Sequence, residues 1–197
     1  MDIKYVILDL GGVLVKIEPD NFYKKMFQLT GININILKDI KNDITLGLIT
    51  PEEAFEKVIK NYKLKISLKE IIDSFVYDYI GNKIDGVDEF LSRLKDLDIK
   101  ISLLSNTNKL HFDYIKKLFN DFKIFDKIYL SYELNLAKPD KRIYEYVLND
   151  LKIPASEIIF IDDTDENIKT ALDLGFKAIK VKKNIVNFNK ILENYIF

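Results

Sequence analysis

The 197-residue sequence predicts an α/β protein, a doubly wound parallel sheet with a small bundle of helices inserted after the first strand. Three observations predict it. Five short apolar, β-branched runs lack the alternation of half-exposed strands, as expected of parallel strands covered on both faces. Helical apolar spacing separates the later runs. Between the first run and the rest, residues 16–82 show helical periods and no strand signal.

The first strand is read over residues 5–9 (YVILD). Four helices follow in the insertion. Phe22, Met26 and Leu29 mark the first, and Ile36, Leu37 and Ile40 the second. The third carries Ala54, Phe55, Val58 and Ile59. It starts at Thr50-Pro51-Glu52-Glu53, with a threonine cap, proline in the first turn and acidic residues at the positive end of the dipole. The fourth carries Ile71, Ile72, Phe75 and Tyr79, and Ser67 with Glu70 three residues later forms a capping box. A stripe of Phe90, Leu91, Leu94 and Leu97 then leads to a strand over residues 100–105 (KISLLS). Phe112, Ile115, Leu118 and Phe119 precede a strand over residues 127–131 (KIYLS), and Ile143, Tyr144, Val147 and Leu148 precede one over residues 157–162 (EIIFID). Ile168, Ala171 and Leu172 form the last stripe. Gly175 stands where a helix C-terminal glycine belongs, before a strand over residues 177–181 (KAIKV).

At roughly 150 residues per domain, the length suits one domain with a sizeable insertion. A chain this long buries about 70% of its unfolded surface and folds without disulfides or a structural metal. The absence of cysteine excludes a disulfide scaffold, a thiolate zinc site and a cysteine nucleophile. A net charge of −1 offers no broad footprint for nucleic acid or anionic membrane. The cations are 28 lysines and two arginines, Arg93 and Arg142, so an anion is met mostly without guanidinium forks. The N-terminal apolar run is broken by Asp9 and lacks a small-residue cleavage site, and no run approaches the roughly 20 apolar residues of a membrane span. A soluble cytoplasmic protein is the expectation, with no nucleic-acid or membrane partner.

In an open α/β sheet the ligand crevice lies beyond the carboxyl ends of the strands. There the sequence places Asp9-Leu10-Gly11-Gly12, Ser105-Asn106-Thr107, Ser131-Tyr132-Glu133 and Asp162-Asp163, with Lys138-Pro139 in the loop after the third sheet strand. A carboxylate, a hydroxyl, a lysine and a carboxylate pair thus share one rim. Singly, each reads as a cap, a turn or solvated surface; their order and placement together carry the signal.

In YVILDLGGVLV, ISLLSNTN, LAKPDKRIY and IIFIDDTDENIKTALDLGF the chain resembles the haloacid dehalogenase-like (HAD) hydrolase superfamily over essentially its whole length. SNTNKLH and the spacing of YLSYELNLAKPDKRIY look closest to the branch of bacterial sugar-phosphate phosphatases and the phosphatase domain of epoxide hydrolases. The resemblance implies a Rossmann-like catalytic core, residues 1–15 and 83–197, with a helical cap over residues 16–82. It also implies an Mg²⁺-dependent phosphatase acting on a small phosphorylated metabolite such as a sugar phosphate. Asp9 would attack phosphorus to form an aspartyl-phosphate. Hard oxygen ligands suit Mg²⁺, and the resemblance assigns these as the Asp9 carboxylate, the Gly11 carbonyl and Asp163 directly, with Asp162 direct or through water. Lys138 would neutralise charge on Asp9 and the phosphoryl group. The Ser105 hydroxyl and the backbone N–H groups of Asn106 and Thr107 would hold the equatorial oxygens. Asn167 would order the last motif's loop, and Asn21, Phe22, Tyr23, Lys24 and Lys25 follow the first motif closely enough to reach the crevice.

One residue departs from the pattern. Most phosphatases of this superfamily carry a second Asp two residues after the nucleophile, as proton donor to the leaving group; here that position is Gly11. General acid–base help is worth about 10²–10⁴-fold, so its loss matters most for poor leaving groups. Substitutes would be a water on the cation, Glu18 or His111. Gly11 also admits two rivals, a 2-haloacid dehalogenase, whose halide leaves without a proton, and a binding protein of little activity. Against the dehalogenase stand the Asp162-Asp163 pair and the absence of arginine from residues 16–82.

Overall fold

The computed structural model describes residues 3–119 and 121–196. Its elements in chain order are β1 (Tyr5–Leu8), β2 (Val15–Ile17), α1 (Pro19–Thr30), α2 (Ile34–Asp39), α3 (Lys41–Thr45), α4 (Pro51–Tyr62), α5 (Leu68–Tyr77), β3 (Ile80–Lys83), α6 (Val87–Asp96), β4 (Lys100–Ser105), α7 (Lys109–Lys116), β5 (Lys127–Leu130), α8 (Ser131–Leu134), α9 (Lys141–Leu151), β6 (Ile158–Asp162), α10 (Asp165–Asp173), β7 (Lys177–Lys180) and α11 (Phe188–Ile191). The five expected sheet strands are present and pair in parallel, in the order β5-β4-β1-β6-β7.

β1 lies at the centre because all four of its residues are buried and both of its edges are paired. Val6 and Leu8 point into one apolar cluster with Ile101, Leu103, Ile159 and Ile161, covered by Phe90 and Leu94 of α6 and Phe112 and Ile115 of α7. Tyr5 and Ile7 point into the other with Leu104, Ile158 and Phe160, covered by Ile143, Tyr144 and Val147 of α9 and Ala171 of α10. Two buried faces explain why the strand sequences do not alternate. From β1 the chain builds out to β4 and β5, then crosses to β6 and β7, so β1 and its neighbours frame the crevice at the switch in winding direction.

The helical insertion departs from expectation twice. It is entered and left by β2 and β3, an antiparallel pair in which Val15 faces Lys83 and Ile17 faces Ile80. Three and four residues, one of them Gly81, are too few for a readable strand pattern. It also holds five helices rather than four: the period of Leu37, Ile40 and Ile44 runs across a break at Ile40, where α2 ends and α3 begins with no glycine or proline to mark it. The expected starts of α4 and α5 are present as reciprocal capping boxes, Thr50 with Glu53 and Ser67 with Glu70. Among the described residues, no helix is long and apolar enough to cross a membrane.

Candidate active site

Asp9 follows the last residue of β1, and its backbone N–H donates to the Ile161 carbonyl of β6 at 2.9 Å. This anchors the carboxylate beside the end of the neighbouring strand, where Asp162 closes β6. Between them lies the Lys138 ammonium, 2.9 Å from Asp9 Oδ1 and 2.7 Å from Asp162 Oδ2. All three residues are buried. Burial alone would lower the Lys138 ammonium, but Asp9 and Asp162 outweigh it and hold it above the ordinary lysine value. Burial raises the Asp9 carboxyl to about 7, with Asp162 adding to the rise and Lys138 opposing it.

The loop bearing Lys138 is clamped by a side chain that follows the neighbouring strand β4. Asn106, just past β4, donates from Nδ2 to the Lys138 carbonyl at 2.7 Å, and its Oδ1 accepts the Lys138 N–H at 2.9 Å. Asn106 was expected to serve through its backbone only; its amide also seats the lysine. Ser105 is buried at the end of β4, on the same rim. Thr107 differs from expectation. Its N–H donates to Ser131 Oγ at 3.0 Å, and that hydroxyl donates back to the Thr107 carbonyl at 3.2 Å. This N–H is therefore already used within the protein and is not free to hold a phosphoryl oxygen.

Asp162 is fully buried, and each of its oxygens accepts two hydrogen bonds. Oδ1 takes the Thr164 N–H at 2.8 Å and Asn167 Nδ2 at 3.0 Å, and Oδ2 takes Asn167 at 3.1 Å and Lys138. Asn167 thus orders the last loop, as the sequence suggested. Asp163 is half-buried and faces the cleft, and burial and then Asp162 raise its carboxyl. Gly12, at φ +87°, makes room for it: a Cβ there would lie 2.7 Å from Asp163 Oδ2.

Asp9, Asp162 and Asp163 each present an oxygen, all within 4.8 Å of one another. Three carboxylates around one buried ammonium leave negative charge unmet, and the donors are all oxygen. Both features fit a hard divalent cation. Gly11 lines the same cleft beside Asp9.

The cleft encloses about 490 Å³. Opposite the sheet, its wall is aromatic. Phe75 packs edge-on against Phe55 at 5.0 Å and Phe22 at 5.3 Å, and its ring lies 4.1 Å from His111. Of the five residues after the first motif, Phe22 and Tyr23 line the cleft, whereas Asn21, Lys24 and Lys25 do not. Three lysines that the sequence did not single out, Lys38, Lys41 and Lys183, also line it. Lys183 follows β7 and so had a strand-end signal; nothing in the sequence marked Lys41. Partial burial, Lys183 and Lys38 together hold the Lys41 ammonium below its ordinary value.

The two residues offered as proton donors do not fit that role. Glu18 is exposed, accepts a bond from Asn21 and does not line the cleft. His111 lines it but is buried, and its Nε2 lies 2.8 Å from the Phe75 carbonyl. A carbonyl only accepts, so Nε2 carries the proton and Nδ1 is an acceptor. Burial lowers the imidazole to about 4, leaving it neutral at pH 7 with no spare proton to give.

A model of the haloacid dehalogenase-like hydrolase family matches residues 3–175. The chain is similar to a D-ribitol-5-phosphate phosphatase of Bacteroides thetaiotaomicron, 26% identical over 192 residues, across 90% of this chain and 91% of that protein. It is also 26% identical to a drimenol cyclase of Aspergillus calidoustus across 92% of this chain, but spans only 34% of that protein's length. Among solved structures, a variant of a HAD-family enzyme from Bacteroides thetaiotaomicron, in complex with magnesium and inorganic phosphate, matches with a TM-score of 0.84 at 29% identity. That match covers 93% of this chain and 96% of the other.

Proposed function

The chain belongs to the haloacid dehalogenase-like hydrolase family, and from that premise we propose that it is an Mg²⁺-dependent phosphatase that hydrolyses a small phosphomonoester through an aspartyl-phosphate on Asp9. The observation that carries this reading is the Lys138 bridge. A buried ammonium holds Asp9 at the mouth of β1, while three carboxylate oxygens gather within 4.8 Å. The similarity to a D-ribitol-5-phosphate phosphatase along nearly the whole chain supports the reaction class.

Asp9 attacks phosphorus as the bond to the alcohol oxygen breaks, the departing oxygen taking a proton from a water in the cleft; a second water then attacks the aspartyl-phosphate and gives up a proton, releasing inorganic phosphate and restoring the carboxylate. Asp9, the Gly11 carbonyl and Asp163 would hold Mg²⁺, which would supply the positive charge that lets an anionic nucleophile approach an anionic phosphate. Asp162 acts by fixing Lys138 and would contribute its charge to the cation site, directly or through water. Ser105 Oγ and the Asn106 N–H hold the equatorial oxygens. Lys38, Lys41 and Lys183 at the cleft draw the dianion in. Residues 16–82 act as a cap on the core of residues 1–15 and 83–197, and choose the alcohol.

The dehalogenase reading remains weaker because neither Arg93 nor Arg142 lines the cleft, which leaves no guanidinium for a substrate carboxylate. The test is phosphate release from p-nitrophenyl phosphate and a panel of phosphate esters, with and without Mg²⁺. Metal-dependent turnover is expected, falling by more than about 10³-fold in Asp9→Asn. Halide release from 2-haloacids without phosphate release would overturn the proposal in favour of the dehalogenase. Silence in both assays would leave a binding protein.

A further inference from the structure

We infer that the alcohol part of the substrate is an apolar carbon chain or ring rather than a sugar or polyol. This rests on the phosphatase reading and concerns the side of the cleft away from Asp9. There Phe22, Ile40, Ile44, Phe55, Phe75 and Tyr79 line the wall. Among the described residues, no Asp, Glu or Gln from the helical insertion lines the cleft. The charged and amide lining residues of that segment, Lys38, Lys41 and Asn42, lie with Thr45 on the short helices α2 and α3, and the other polar groups it brings to the wall are the hydroxyls of Tyr23 and Tyr79.

The interior is different. His111 reaches from the core into the aromatic cluster, and it is neutral, with Nε2–H spent on the Phe75 carbonyl and its ring 4.1 Å from Phe75 and 4.7 Å from Tyr79. A polyol placed against these rings gives up hydrogen bonds to water and receives few in return, at a cost for each hydroxyl. An alkyl or aryl group loses nothing polar there and removes apolar surface from water on both sides. The phosphoryl group, meanwhile, stays on the charged rim beside Lys138 and Ser105. The cleft is therefore matched to an amphiphile with an ionic head and an apolar body.

The test measures binding of n-alkylphosphonates from methyl to octyl to the Mg²⁺-loaded protein by calorimetry. It is paired with kcat/KM for the corresponding n-alkyl phosphates and for glucose 6-phosphate, all primary esters with similar leaving groups. Affinity is expected to rise about three- to fourfold per methylene until the cleft is filled. Hexyl phosphate should exceed glucose 6-phosphate in kcat/KM by more than tenfold (about 10-fold being the smallest gap two buried methylenes would give). Ile40→Gln, at a half-buried position, should flatten the series. Affinities independent of chain length, or a preference for the sugar ester, would overturn the inference while leaving the phosphatase intact. Chain-length-dependent phosphonate binding without turnover of any ester would uphold the apolar wall and overturn the phosphatase reading instead.

Discussion

On the sheet side of the cleft, polar groups are buried and paired: Lys138 with Asp9 and Asp162, Asp162 with Thr164 and Asn167, Thr107 with Ser131. On the side facing it, the wall is a cluster of aromatic rings, and its one buried imidazole is held neutral. The first arrangement is costly to desolvate and holds only because each charge has a fixed partner, so it specifies position to a fraction of an ångström. The second tolerates change of shape but excludes unpaired polar groups. Transfer of a phosphoryl group needs the former; selection among alcohols needs only the latter.

The largest expected effect breaks the polar side. Lys138→Met leaves Asp9 and Asp162 buried without their cation. Stability in urea at pH 7 should fall by about 3–5 kcal/mol, recovering in part at lower pH as the raised Asp9 carboxyl protonates. A loss below about 1 kcal/mol would show that solvent already screens the pair, and the contrast between the walls would disappear.

The next concerns the apolar side. His111 titrates at about 4 in the folded protein, below the ordinary 6.5, so folding favours the neutral ring. That contribution is fully present above about pH 6.5 and is lost as pH falls toward 4. Between these values the native protein should lose about 3 kcal/mol more stability than His111→Phe. Parallel pH curves for the two proteins would mean that the imidazole is hydrated.

The smallest effect sharpens the comparison at the point where the walls meet. A Cβ at Gly11 would lie 3.2 Å from Ile17 Cγ2, a side-chain contact that can give, so Gly11→Asp should fold with a change of under about 1 kcal/mol. If the missing acid limits turnover, alkyl phosphates gain by up to about 10²-fold and p-nitrophenyl phosphate gains far less. Equal gains would show that the native site supplies the proton by another route.

Much of the sheet was legible because strands buried on both faces leave unbroken apolar runs, and each strand end then falls within a residue or two of its expected place. Helix starts were legible where the cap is local, as at Thr50 and Ser67. β2 and β3 were not, since short strands pair with residues far along the chain and carry no pattern of their own. The rim was legible as strand ends and the loop beside them: Asp9, Ser105 and Lys138 all line the cleft. The aromatic wall was not, because Phe22, Phe55 and Phe75 read as core stripes of separate helices until packing brings their rings together.

The sequence by itself determined the strand order of chemistry, with an aspartate, a serine, a lysine and an aspartate pair on one edge of a parallel sheet. Only the tertiary structure decided which of those groups are free to act. Thr107 N–H was expected to be available and is tied to Ser131, and His111 was offered as a donor and spends its Nε2 proton on the Phe75 carbonyl. The reason is one of range. Periodicity and strand ends are properties of neighbouring residues, whereas the filling of a lone pair or the drying of a ring depends on partners tens of residues away, 24 for Thr107 and Ser131, 32 for Asn106 and Lys138, and 36 for His111 and Phe75.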